Sequence, residues 1–183
     1  LDTDHLVHPL YQGGKLPDLI AARFGSAVMG EDGSVNRPML SQIVFSDKQA
    51  LRDLNAIVHA EVEQQVQVWL KDKESEGYAA ALVDAPQLFE AGMEKDFDLV
   101  VGVVADKAQR LARICLRDGI DRQRAEMRLR NQKSEDEYRA LCDFVITNNV
   151  NSDLIKQIDE LTKMIFNQKG DFTMEAKDLK NEL

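Results

Sequence analysis

The chain has 183 residues, 44% of them hydrophobic and 30% charged, with a net charge of −9 at neutral pH. This length can bury one sizeable core, and the composition is that of an ordinary globular protein. The acidic balance argues against a nucleic-acid partner, and no apolar run approaches the ~20 residues of a membrane-spanning helix. With no secretory leader at its start, the sequence reads as cytoplasmic and without a membrane partner. Cys115 and Cys142 lack metal-ligand spacing and are expected as free buried thiols. Charge is uneven: residues 105–133 hold nine basic side chains against four acids, a +5 island on a remainder of −14. An island of this size suits a small polyanion.

Leu1 reads as the end of a strand and Asp2 as the turn after it. A short helix over Asp4–Val7 follows, stopped near His8-Pro9. Pro17–Phe24 is a second helix with Gly25 as its cap, Glu31-Asp32-Gly33-Ser34 a turn, and Arg37–Phe45 a third helix. Ser46-Asp47 caps the longest one, about Lys48 to Asp72. Its apolar row, Leu51, Leu54, Val58, Val62, Val66 and Trp69, steps by three or four. Asn55, His59 and Glu63 form a polar row beside it.

Gly77 breaks that helix and an apolar run from Ala79 to Asp84 follows. It reads as a buried parallel strand with Asp84 at its carboxyl end, where Pro86 turns the chain out of the sheet. The plainer alternative makes Asp84 a loop residue capping a helix near Leu88. Leu99–Val104 and Phe144–Thr147 are further strands. Between them lie helices over Asp106–Asp118, Asp121–Gln132 and Ser134–Leu141. The first of these puts Arg110, Arg113 and Arg117 within about 60° of one another. Ser152–Phe166 is a closing helix, and the charged tail from Gln168 is expected to fray. Strands alternating with helices predict one α/β domain over 1–183 with a doubly wound parallel sheet. It carries a nearly all-helical insertion over 14–77 and a small basic insertion over 118–142.

Several short motifs stand in order along this layout: Asp2-x-Asp4, Arg-Phe-Gly at 23–25 and Asp-Gly-Ser-Val-Asn-Arg at 32–37. They are followed by Asp84-x-Pro86-x-Leu88-Phe89-Glu90, Arg-Asp-Gly at 117–119, Arg128 with Gln132, and Val-Ile-Thr-Asn at 145–148. Together they make the chain resemble the dephospho-coenzyme A kinases from its first residue to about Asn149. The resemblance implies a P-loop-kinase-like parallel sheet flanked by helices, with 14–77 binding the acceptor and 118–142 forming a lid. It implies transfer of the ATP γ-phosphoryl group to the ribose 3′-hydroxyl of dephospho-coenzyme A, with Mg2+. On this basis Asp2 is the candidate base, and it also fits an N-cap. Arg117 and Arg128 face phosphate, because a guanidinium fork matches phosphate oxygens. Asn148 and Arg113 fall to the nucleotide, and Arg37, His59 and Asp84 to the acceptor. Asp4 is a helix cap or, like Asp84, a water-mediated magnesium contact.

Two departures stand out. Gln87 and Ala60 occupy positions where the family usually has leucine and proline. More seriously, the 183 residues contain no G-x-x-x-x-G-K-[ST] loop, and Gly13-Gly14-Lys15 is no substitute because no strand precedes it. The expectation is therefore a natural protein that begins upstream, with the 183 residues alone inactive and prone to aggregate. The competing readings are a non-catalytic module that binds the coenzyme A precursor, and a kinase of another small nucleotide-like acceptor.

Overall fold

A computed structural model describes residues 1–130 and 132–167; the charged tail from Gln168 lies outside them. The chain forms two compact units, Leu1–Asp96 and Phe97 onward.

The first unit is mainly helical. Helix α1 covers Thr3–Leu10, α2 Lys15–Phe24, α3 Arg37–Ser46, α4 Lys48–Ser75 and α5 Leu88–Ala91. Each of α1, α3 and α4 begins at a short polar side chain that accepts from first-turn N–H groups: Asp2, Asn36 and Asp47. Along α4 the expected stripe turns inward. Leu54, Val62 and Val66 are buried, while Leu51, Val58 and Trp69 are half-buried. Leu51, Leu54 and Val58 meet a core of Leu16, Ile20, Val28, Val35, Leu40, Val44 and Tyr11. Each large aliphatic side chain buried in this way contributes roughly 1.5–3 kcal/mol.

The second unit is α/β. Strand β1 (Val101–Val104) pairs in parallel with β2 (Phe144–Thr147), Val101 opposite Phe144 and Val104 opposite Thr147. A parallel pair needs a long crossover. Here α6 (Lys107–Asp118), α7 (Arg122–Leu129) and α8 (Glu135–Leu141) provide it, and α9 (Leu154–Asn167) follows β2. Leu111, Ala125 and Leu129 form the small core between α6 and α7. Gln157 of α9 accepts from Thr147 N at 2.8 Å and donates to Thr147 O at 3.1 Å. Its side-chain amide thus pairs with backbone groups of β2 that β1 does not use. Ser134 and Glu137 close a capping box at the start of α8.

Several expectations need correction. The run Ala79–Asp84 is not a strand along its length: its pairing is one parallel bridge, Asp84 with Asp2. The ladder consists of Leu1 N to Leu82 O at 2.8 Å, Asp84 N to Leu1 O at 2.8 Å and Thr3 N to Asp84 O at 3.0 Å. Beyond the bridge its partner turns into α1 at Thr3, which ends the pairing on the carboxyl side of Asp84. Three consecutive alanines also add little sheet propensity. Helix α1 runs through Pro9 to Leu10 instead of stopping near it. The proline sits in the last turn, and the helix carries Leu10 and Tyr11 to the core beyond it. Asp4 does not cap α1; Asp2 does, accepting from Asp4 N at 2.8 Å and His5 N at 3.2 Å. Helix α7 ends at Leu129, short of Gln132. Both cysteines are free, as expected, but half-buried rather than buried.

Candidate active site

Two groups of candidate residues exist, one in each unit. In the first, the Asp2–Asp84 bridge fixes the backbone at both acids. Thr3, one of the few buried polar residues, adds a second clamp: its Oγ1 donates to Asp84 O at 3.0 Å. The residues that follow the bridge, Thr3 and Asp4 on one side and Ala85 to Leu88 on the other, line a cavity of about 210 Å³. Val7, Tyr11, Leu54, Val58, Val62, Ala91 and Met93 make its apolar wall, and Asn55, His59 and Gln87 bring polar groups to it. An apolar cavity with a few convergent polar groups is the usual form of a small-molecule site.

Asp2 uses Oδ1 for the α1 cap, while Oδ2 lies 3.3 Å from His5 Nδ1 at a partly exposed position. Capping therefore fixes the rotamer and leaves one carboxylate oxygen on the solvent side. His59, from the middle of α4, reaches across to Gln87 with Nε2 3.1 Å from Oε1. Arg37 is exposed at the start of α3. Its guanidinium lies 5.3 Å from the centre of the Tyr11 ring and 3.2 Å from His8 Nδ1. Burial raises the Tyr11 hydroxyl pKa, and the nearby Arg37 charge opposes that rise. Arg37 thus stands behind Tyr11, a wall residue of the cavity. Asp4 and Asp84 are both exposed, so their carboxylates are open to water.

In the second unit, Arg113 donates to the Asn148 carbonyl at 2.8 Å, and Asn148 N donates to Val104 O at 2.7 Å. These two candidates meet at the end of β2 through backbone, leaving the Asn148 side chain out of the contact. Arg117 and Arg128 also meet, through a third residue. Arg117 Nε and Nη2 donate to Asp118 Oδ1 and Oδ2 at 2.7 and 3.1 Å, and Arg128 Nη1 binds Asp118 Oδ2 closely. The bond from Arg117 holds the Asp118 carboxyl below its usual pKa, with Arg128 adding to the effect. Arg110, on the face expected to carry Arg113 and Arg117, binds Gln132 instead.

Four residues with evident roles were not among the sequence candidates: Thr3, Tyr11, Gln87 and Asp118. The last two lie inside motifs already singled out, so their position was a signal. Thr3 and Tyr11 carried none, since their importance comes from contacts distant in sequence.

The chain matches the Dephospho-CoA kinase family model over residues 1–153. It is 32% identical to the dephospho-CoA kinase of Fusobacterium nucleatum over 165 residues, covering 90% of this chain and 84% of that one. Against that of Syntrophotalea carbinolica it is 38% identical over 151 residues, covering 81% and 71%. Its fold resembles the crystal structure of TT1252 from Thermus thermophilus, with a TM-score of 0.67, 28% identity and coverage of 92% and 83%. The dephospho-CoA kinase from Campylobacter jejuni, 21% identical with a TM-score of 0.63 over 92% of this chain and 85% of that one, shares the fold. With the motifs up to Asn148, the α/β architecture and a family match over residues 1–153 in agreement, the chain belongs to the dephospho-CoA kinase family.

Proposed function

We propose that this chain is part of the enzyme for the last step of coenzyme A synthesis in the cytoplasm, which moves the γ-phosphoryl group of ATP to the ribose 3′-hydroxyl of dephospho-coenzyme A. Family membership over residues 1–153 is the observation that carries this reading.

Phosphoryl transfer requires positioned reactants, neutralised charge and a group that receives the hydroxyl proton. Asp2 takes the proton role. Its cap bonds immobilise one carboxylate oxygen, so the other can orient the attacking hydroxyl with little loss of entropy. The insertion over 14–77 holds the acceptor, with its His59 and, from outside it, Gln87 as hydrogen-bonding groups on an apolar cavity. Arg37 adds an acceptor-side charge, and Asp84 lies on the same bridged backbone as Asp2. Arg117 and Arg128 carry charge for the phosphates, Arg128 on a segment (118–142) that acts as a lid. Arg113 and Asn148 serve the nucleotide.

Among the described residues no group of three or more His, Cys, Asp or Glu could hold a metal ion. The exposed carboxylates of Asp4 and Asp84 nevertheless suit magnesium, which favours hard oxygen donors and keeps much of its water shell. They would hold it through water, and it would neutralise phosphate charge.

Asp2→Asn tests the base assignment. Asparagine keeps an oxygen for the α1 cap, so binding of ATP and dephospho-coenzyme A should persist. The kcat should fall by ~10²–10⁴-fold, the typical contribution of a positioned base. A variant keeping more than half the wild-type kcat removes Asp2 from this role.

A further inference from the structure

Asp118 is the last residue of α6, immediately before Gly119, whose φ of +62° ends the helix in the left-handed conformation. A carboxylate is electrostatically out of place there, because the carboxyl end of a helix carries partial negative charge and favours cations. The Arg117 and Arg128 side chains are 74% and 55% exposed, whereas that of Asp118 is 18% exposed. Ion pairs at such exposed positions typically contribute little. What the arrangement does accomplish is geometric: two cations ten or more residues apart in sequence converge on one carboxylate.

We propose that Asp118 is a positioning residue, gathering Arg117 and Arg128 into one phosphate-facing pair before nucleotide arrives. The proposal rests on the reading that these two arginines contact the phosphates of ATP. Bare, the two guanidiniums would repel and separate. Joined through Asp118, they keep a net charge of +1, and their bonds to it occupy two of the N–H groups of Arg117 and one of Arg128. A guanidinium has five such groups, so a phosphate can bind without displacing the carboxylate. The alternative role for the same contact is competition, with Asp118 masking the arginines until ATP displaces it. The two roles predict opposite effects on affinity.

The experiment compares Asp118→Asn, Asp118→Glu, Arg117→Gln and Arg128→Gln in the active enzyme. It measures ATP affinity, kcat, the KM for dephospho-coenzyme A and thermal melting. Asp118→Asn should weaken ATP binding about tenfold, the scale of losing a charged hydrogen bond, and leave the KM for dephospho-coenzyme A unchanged. Asp118→Glu should recover most of the loss, and it carries the test if the asparagine variant melts early. Combining Asp118→Asn with Arg128→Gln should cost less than the two separate effects together. Wild-type or tighter ATP binding by Asp118→Asn, with both arginine variants impaired, would overturn the positioning role. If both arginine variants bind ATP and turn over normally, the reading beneath the proposal fails, and the proposal with it.

Discussion

A methyl group added to Gly102 in β1 would stand 2.8 Å from the Cys142 sulfur. Atoms of this kind do not approach so closely without displacement, so glycine is required here by proximity to its neighbour. The Gly102→Ala variant should lose roughly 1–3 kcal/mol of stability, the usual range for an overpacked site. Cys142→Ala in the same background removes the sulfur and should return much of that loss. Denaturant unfolding of the two variants and the double variant checks this, and additive effects would contradict it.

Arg23 of α2 donates to Asp53 Oδ2 of α4 through Nε at 2.8 Å and Nη2 at 2.5 Å, with Gln49 on Oδ1 at 2.7 Å. The bond from Arg23, followed by that from Gln49, lowers the Asp53 pKa from its ordinary 3.8. A carboxyl whose folded pKa is depressed stabilises the fold above its unfolded pKa, and that contribution disappears as pH falls through the folded one. Stability should therefore decline below about pH 4 partly through this residue. In Asp53→Asn the acid limb of a pH–stability curve should be shallower, and an unchanged limb would exclude the pair as a contributor.

Thr3 anchors the bridge between the two candidate acids. Thr3→Val keeps the shape but removes the Oγ1 bond to the Asp84 carbonyl. The expected cost is about 1 kcal/mol, a typical net hydrogen bond. Because the bridged backbone leads directly into the cavity lining, kcat should fall as well, while ATP affinity stays constant. Calorimetric melting and steady-state kinetics together separate these effects.

Val58 is a half-buried wall residue of the 210 Å³ cavity. Val58→Phe should narrow it and raise the KM for dephospho-coenzyme A about tenfold or more, as pocket-size changes do. The KM for ATP should not move. Equal changes in both constants would place the acceptor elsewhere.

The segment 118–142 is rich in charge and has few apolar anchors, with Ala125 and Leu129 its buried hydrophobic residues among those described. Segments of this composition open at low cost. If it closes over substrates, its amide exchange should slow when ATP and dephospho-coenzyme A are both bound. Unchanged exchange at demonstrated saturation would count against a lid.

The sequence alone determined the elements with a local cause. The one-faced stripe on α4 predicted a long amphipathic helix, and the structure buries Leu54, Val62 and Val66 from it. Asp47 and Ser134 marked helix starts because capping involves only the next three residues. The strands around Val101–Val104 and Phe144–Thr147 were legible as short β-branched runs between helical patterns. The ordered motifs pointed to the family for the same reason: each is a short string readable without its partners. Tertiary structure alone decided what depends on distant neighbours. Whether Ala79–Asp84 forms a strand turned on its pairing, which is the single bridge of Asp84 with Asp2. The period of α6 aligned Arg110, Arg113 and Arg117, yet they bind Gln132, Asn148 and Asp118 respectively. His59 gained Gln87, and Arg37 gained Tyr11 and His8, across 26 to 29 positions of sequence. A side chain's period states which face it occupies; its partner is set by whatever the fold brings within about 3 Å, the reach of a hydrogen bond.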